Sequence, residues 1–227
     1  MQRLLFLLGG SLAYEVVADE FVAASGGRNA RIAILVQNVT GWEKHKAEII
    51  SPWIERGITY YAPILPDENG ILDSEAASAE LRNATGIFIG GGHTPTYHRL
   101  FATEPLCSVI CERYQDGIPV AGVSAGALIS VELCQLTSDE TGYDRLEIVQ
   151  GMGLVKGFVV GVHFTEWNAL PEVLMVMSKT RTKFGLGIDE PACVVCENDQ
   201  FTRVLGRFVH KIEMIDFNDM SYTIRVL

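Results

Sequence analysis

The sequence predicts an α/β fold: a doubly wound, mostly parallel sheet flanked by helices, with antiparallel strands at the C-terminal end. Three observations carry this. Up to about Cys134, short apolar runs alternate with stretches of helical spacing, joined by short connections, as a chain of βαβ units requires. The first run, Arg3–Leu8, is continuously apolar after its arginine, the mark of a strand covered on both faces. From Ala192 onward the pattern changes to closely spaced short strands.

In order, Arg3–Leu8 is the first strand and Tyr14–Ala24 a helix. Arg31–Gln37 is the second strand and Trp42–Arg56 an amphipathic helix. Ile58–Ile64, β-branched and aromatic, is the third strand. Asp73–Asn83 reads as a helix capped by Asp73 or Ser74. Gly86–Ile89 is a strand running into Gly90-Gly91-Gly92, and Thr94 or Thr103 caps the helices that follow, to about Gln115. The next strand leads into a helix reaching about Cys134. Thr137–Gln150 is polar and reads as an exposed loop. Phe158–Val162 is a strand ending at His163, Trp167–Ser178 a helix, and Phe184–Ile188 a strand ending at Asp189-Glu190. Ala192–Cys196, Thr202–Leu205, Arg207–Ile215 and Tyr222–Val226 read as an antiparallel extension packed on the main sheet.

The 227 residues, 48% apolar and 20% charged, describe an ordinary globular chain, read as a single domain over 1–227. A net charge of −10 argues against a nucleic-acid footprint and against a polybasic membrane surface. The early run Leu4–Leu8 is too short for a signal-peptide core or a membrane span. A cytoplasmic location is the resulting expectation. Five cysteines, an odd number, do not make a disulfide framework. Cys193 and Cys196 lie in a strand that points them to opposite faces. All five read as buried free thiols. No metal site is expected, because the histidines and carboxylates lack ligand spacing. No cofactor is expected either. The outer faces of the late strands would allow a homodimer.

The chemistry centres on Gly122-Val123-Ser124-Ala125-Gly126, a G-x-S-x-G pentapeptide at the strand-to-helix turn. Such a serine is held in a strained turn, so its neighbours two residues away must be small. In a parallel sheet, ligands gather at the carboxyl ends of the strands, and both Ser124 and the triple glycine fall there. A serine nucleophile needs a base, itself oriented by a third group. Of the five histidines, His45 and His210 read as structural and His98 as solvated. His93 and His163 sit at strand ends on the active edge, and His163 is the better base. Glu190 is the expected orienting acid, with Asp139 as rival. The Ala125 N–H and those of Gly91 and Gly92 are the candidate oxyanion donors. A phosphate cradle is the alternative for the triple glycine, but no G-x-G-x-x-G or G-K-[ST] completes it.

Gly90-Gly91-Gly92-His93-Thr94, Gly122–Ala127, His163-Phe164 and Gly187-Ile188-Asp189-Glu190 resemble, in the same order, the four signature stretches of the S51 serine peptidases. These are the dipeptidase E and cyanophycinase group, of class I glutamine amidotransferase-like, flavodoxin-like fold. The resemblance spans nearly the whole chain. It implies a triad of Ser124, His163 and Glu190 and an oxyanion hole from Gly91 or Gly92 with Ala125. It also implies hydrolysis of small peptides, aspartyl dipeptides among them. Two departures stand out. His93 replaces the asparagine that many dipeptidase E-like sequences carry, and is expected to contact substrate together with Thr94. Gly161-Val162 and Thr165-Glu166-Trp167 replace the residues that flank the histidine in cyanophycinase-like proteins. A divergent member with its own small-peptide substrate is therefore expected. A catalytically silent binding protein of the same fold, or a non-peptidase serine hydrolase, is the alternative. A glutamine amidotransferase would carry cysteine at position 124, and a lipase-like hydrolase would order its triad serine, acid, histidine.

Overall fold

The computed structural model describes residues 2–137 and 146–227. In chain order, the first half comprises β1 (Leu4–Leu8), α1 (Tyr14–Ala24), β2 (Arg31–Leu35), α2 (Val39–Glu55), β3 (Tyr60–Ile64), α3 (Ser74–Asn83), β4 (Gly86–Ile89), α4 (Thr94–Phe101), α5 (Leu106–Gln115), β5 (Val120–Val123) and α6 (Ala125–Ser130). The second half comprises β6 (Leu133–Leu136), β7 (Glu147–Gln150), β8 (Phe158–Val162), α7 (Leu170–Thr180), β9 (Phe184–Ile188), β10 (Ala192–Glu197), β11 (Gln200–Gly206), β12 (Val209–Asp216) and β13 (Ser221–Val226).

The central sheet has seven strands in the order β11-β10-β1-β5-β4-β2-β3. Its five strands from β1 to β3 run parallel, and β10 and β11 extend it antiparallel beyond β1. Strand alternation splits the core into two layers. Leu5 and Leu7 of β1 face one, with Leu35, Ile87, Ile89 and Tyr97. Phe6 and Leu8 face the other, with Phe21, Trp53 and Phe88. There Phe88 packs edge-on to Trp53 at 4.9 Å between ring centroids, a geometry worth about 0.5–1.5 kcal/mol beyond the area it buries. Cys193 and Cys196 fall into opposite layers, as strand alternation requires.

The late strands do not form one extension. β10 and β11 join the central sheet, whereas β12 and β13 join β9 and β8 in a second sheet of order β13-β12-β9-β8. In that sheet β8 and β9 run parallel, and α7 covers one face through Val173, Val176 and Met177. The physical reason is the turn at Gly206, with φ +80° and Pro191 O lying 2.1 Å from where its Cβ would be. The chain leaves β11 there and returns along β9.

Local boundaries also shift. α2 begins at Val39 rather than Trp42, because Asn38 caps it, its Oδ1 accepting from the Gly41 N–H at 2.6 Å. Of the two candidate caps for α3 it is Asp73 that acts, accepting from the Glu75 and Ala76 N–H groups. Neither threonine caps α4 or α5. Thr94 is the first residue of α4, after His93, and the Thr103 hydroxyl donates back to the Arg99 carbonyl. α6 stops at Ser130, four residues short of Cys134, because Leu154 and Gly153 donate to the Ser130 and Val131 carbonyls and pull the chain into β6. Glu147–Gln150, expected in the loop, is a strand paired with Leu133–Leu136. α7 starts at Leu170, since Trp167 and Ala169 are held in a turn by the His163 and Phe164 carbonyls. All five cysteines are free, but Cys107 and Cys111 are only half-buried.

Two glycines fix the contact between β5 and α6. A Cβ on Gly126 would lie 2.3 Å from Ile89 O and 2.8 Å from Gly90 O. One on Gly122 would lie 2.5 Å from Gly126 O. Backbone cannot retreat as a flexible side chain can. Gly126→Ala is therefore expected to lower unfolding free energy by about 1–3 kcal/mol, read as a shift of the urea midpoint at constant m-value.

Candidate active site

Ser124 stands between β5 and α6 with φ 52° and ψ −115°, a conformation costing a non-glycine residue about 1–3 kcal/mol. It persists because the surroundings over-determine it. The Ser124 N–H donates to Leu8 O at 3.0 Å, and its carbonyl accepts from the Ala127 and Leu128 N–H groups at 2.9 and 3.0 Å. The triple glycine after β4 passes against the serine: a Cβ on Gly91 would lie 3.2 Å from Ser124 Cβ. Ala125, the first residue of α6, is fully buried behind it.

The second sheet delivers the other two groups. His163 follows β8 with φ 45°, and its N–H donates to Gly9 O at 3.3 Å. Glu190 follows β9 by two residues. His163 Nε2 lies 2.9 Å from Ser124 Oγ, and Nδ1 lies 2.9 Å from Glu190 Oε1. With its proton on Nδ1, the imidazole donates to Glu190 and leaves Nε2 to accept the Ser124 hydroxyl proton. Gly10 is packed beneath this pair, where a Cβ would sit 2.7 Å from Glu190 Cγ and 3.1 Å from His163 Cε1. Glu166 Oε1 accepts from the Glu190 N–H at 3.2 Å. Asp139, the rival acid, lies outside the described residues.

Neighbouring residues hold this arrangement in ways the sequence did not reveal. Trp167, 67% exposed, stacks on the His163 ring at 3.9 Å between centroids and 20° between planes. Asp189 is buried; its Oδ1 accepts from the Thr165 N–H at 3.0 Å, and Oδ2 lies 3.3 Å from His210 Nε2. Asp189 thus ties the turn after His163 to β12. His210 packs against Phe164 in the same place. His98, expected to be solvated, is half-buried with Nε2 2.7 Å from the Gln150 carbonyl.

Two clefts share Ser124, Gly92 and Trp167 in their walls. One, of about 360 Å³, is lined by Gln37, His45, Glu48, Gly91, Ser124, His163 and Glu190 among others. His45, expected to be structural, therefore faces the cleft, its Nδ1 3.4 Å from Glu48 Oε2. Gln37 shapes the same wall by accepting the His93 N–H at 2.9 Å. The His93 ring turns back to Thr96, Nδ1 to Oγ1 2.9 Å, and His93 lines neither cleft. The other cleft, of about 310 Å³, is lined by Gly92, Thr94, Ser124, Leu128, Gln135, Val162 and Trp167 among others. Among the described residues no helix is long and apolar enough to cross a membrane, and no cluster of three or more metal-ligating side chains forms. Gln37, Glu48 and Gln135 were missed because no motif contains them, and Trp167 was read only as a departure beside the histidine, not as a ring stacked on it. Only their positions near strand ends or the site histidine gave a signal.

A serine in a strained strand-to-helix turn, bonded to a histidine that is bonded to a carboxylate, is an arrangement able to activate a hydroxyl. Residues 69–204 match the model of peptidase family S51. The chain belongs to that family.

Among relatives of this S51 chain, the cyanophycinase of Synechococcus elongatus is 30% identical over 165 residues, 70% of the chain and 50% of that protein. The cyanophycinase of Nostoc sp. is 27% identical over 155 residues, 66% of the chain and 51% of that protein. The chain spans about half the length of the curated relatives it matches. A crystal structure of a peptidase from an acI-B1 actinobacterium superposes with a TM-score of 0.71 at 22% identity, covering 92% of this chain and 90% of the other. A candidate peptidase E from Listeria monocytogenes gives 0.66 at 14% identity, covering 89% and 98%. At these identities the two structures share the fold: an α/β chain with a mostly parallel central sheet flanked by helices.

Gly10→Ala tests how the histidine and carboxylate are held. Its added methyl is expected to part His163 from Glu190, visible in a crystal structure of the variant. Reaction of Ser124 with a fluorophosphonate should slow by about a hundredfold, as small misplacements at such sites do, with the variant still folded by circular dichroism.

Proposed function

We propose that this chain is a serine-type peptidase that hydrolyses small peptides through an acyl-enzyme on Ser124, with residues 1–227 acting as one peptidase domain. The observation that carries the reading is the continuous chain Ser124–His163–Glu190, 2.9 Å at each link. Family membership and the cyanophycinase relatives support it.

In this mechanism Ser124 Oγ attacks the scissile carbonyl carbon as His163 Nε2 takes the hydroxyl proton. Glu190 accepts from Nδ1–H, keeps the ring in the right tautomer and stabilises the imidazolium that forms. Trp167 lies face to face with that ring and fixes its plane. The oxyanion develops where Ser124 meets the triple glycine, in reach of the Gly91 or Gly92 and Ala125 N–H groups. Collapse of the tetrahedral intermediate breaks the C–N bond, and His163 gives its proton to the departing amine. Water, deprotonated by the same nitrogen, then releases the acyl group and restores the Ser124 hydroxyl.

A fluorophosphonate is expected to label the protein at Ser124, with no label on Ser124→Ala. Against an N-terminal dipeptide library, Ser124→Ala and His163→Ala should each lose about a thousandfold or more in kcat. Glu190→Gln should lose a comparable factor, whereas Asp139→Asn should stay within about threefold of wild type. A full loss in Asp139→Asn with an active Glu190→Gln would reassign the acid. A ligand that raises the melting temperature without any turnover or labelling would make the chain a silent binding protein.

A further inference from the structure

Cys107 and Cys111 stand four residues apart on α5, so the helical turn sets them on one face. Both thiols are half-buried, whereas Cys134, Cys193 and Cys196 are fully buried. Cys193 and Cys196 lie in opposite core layers. Burial pushes both of their thiols up, that of Cys196 to about 12. The pair on α5 is therefore the one place where two thiols are both close together and within reach of an outside reagent.

The two thiols are not equivalent. Cys111 hydrogen-bonds the Cys107 sulfur and holds that thiol below its ordinary value, against burial and the Glu104 carboxylate. Cys111 moves the other way, because the same bond, then burial and the Cys107 charge, favour its protonated form. Its Sγ also donates to the Met152 carbonyl at 3.5 Å. Cys107 is thus the group that ionises, and Cys111 keeps a proton to give. The thiolate is the form that attacks.

We propose that Cys107 and Cys111 form a redox-active dithiol, a modification site for hydrogen peroxide that closes to a disulfide within α5. Cys107 Sγ attacks one peroxide oxygen: an S–O bond forms, the O–O bond breaks, and the departing hydroxide takes the proton that Cys107 released, leaving a sulfenic acid and water. Cys111 Sγ then attacks the Cys107 sulfur. The S–S bond forms, the S–O bond breaks, and a second water leaves with the Cys111 proton. The dithiol gives two electrons and peroxide takes them. Two equivalents of a small thiol reverse the closure by exchange and leave as their own disulfide.

The position in the helix allows closure. Residues four apart in an α-helix have Cα atoms about 6 Å apart, within disulfide range. Their Cβ atoms are about 5–6 Å apart, where a disulfide needs about 3.5–4.5 Å, so the turn must tighten. Cys107 is the second residue of α5. Its N–H is bonded to the Thr103 carbonyl, ahead of the helix, and the Val109 N–H reaches the Pro105 carbonyl at 3.4 Å. This first turn can shift while the later turns keep their bonds.

The test uses the whole chain. Trypsin releases residues 100–113, a peptide with Cys107 and Cys111 and no other cysteine. The protein is treated with a small excess of hydrogen peroxide, unfolded in N-ethylmaleimide and digested. In wild type this peptide is expected without maleimide and lighter than its reduced form by about 2 Da, the two hydrogens lost. Dithiothreitol should restore both maleimide sites, and Cys134, Cys193 and Cys196 should carry maleimide throughout. With dimedone present, Cys111→Ser should be trapped as the sulfenic acid of Cys107 about tenfold faster than Cys107→Ser is trapped at Cys111. Absence of the lighter peptide, a disulfide between two chains in its place, oxidation of a buried cysteine first, or faster trapping at Cys111 overturns the proposal. Should a serine variant fail to fold, the mass of the wild-type peptide decides alone.

Discussion

Three strand ends, those of β1, β4 and β5, come together with almost no side chain between them. Gly122 and Gly126 let α6 start against the sheet, and the Ser124 N–H is bonded to the end of β1. The positive φ of Ser124 is a consequence of this closeness: the chain must reverse from strand to helix within one residue, and small neighbours on both sides allow it. Strain of this sort survives only in a rigid frame. Two fully packed core layers on either side of the central sheet supply that frame.

The same strand ends also receive the second sheet. The Gly9 carbonyl accepts from the N–H of His163, which follows β8. Gly9 and Gly10 tolerate the approach because a Cβ on either would collide with residues 188–190. The histidine and the glutamate therefore reach the serine from a different sheet, each positioned by backbone bonds of its own. Asp189 and His210 brace the outside of this junction, which is why two polar groups that make no contact with Ser124 are nevertheless buried or nearly so.

Much of the architecture was legible because buried parallel strands leave continuous apolar runs and helices leave a 3.6-residue period. Boundaries were less so. Asn38 and Asp73 carry capping signals, but whether a cap or the next apolar residue starts a helix depends on geometry the sequence does not encode locally. The end of α6 was invisible, since Ser130 and Val131 leave the helix to bond with residues 153 and 154, a contact made across the chain. Likewise, the alternation of β10 to β13 identified strands without saying which sheet each would join.

By itself the sequence determined the α/β class, the strained serine between small residues, and the pairing of strand ends with chemically capable side chains, because these depend on residue type and short spacing. Tertiary structure alone decided that β8 and β9 form a sheet apart, that Trp167 lies on the His163 ring, that His45 faces a cleft while the His93 ring turns to Thr96, and that Gln135 is buried with an unpaired oxygen. These depend on distances between segments far apart in the chain. No local pattern records them, because many sequences with the same periodicity would place those side chains elsewhere.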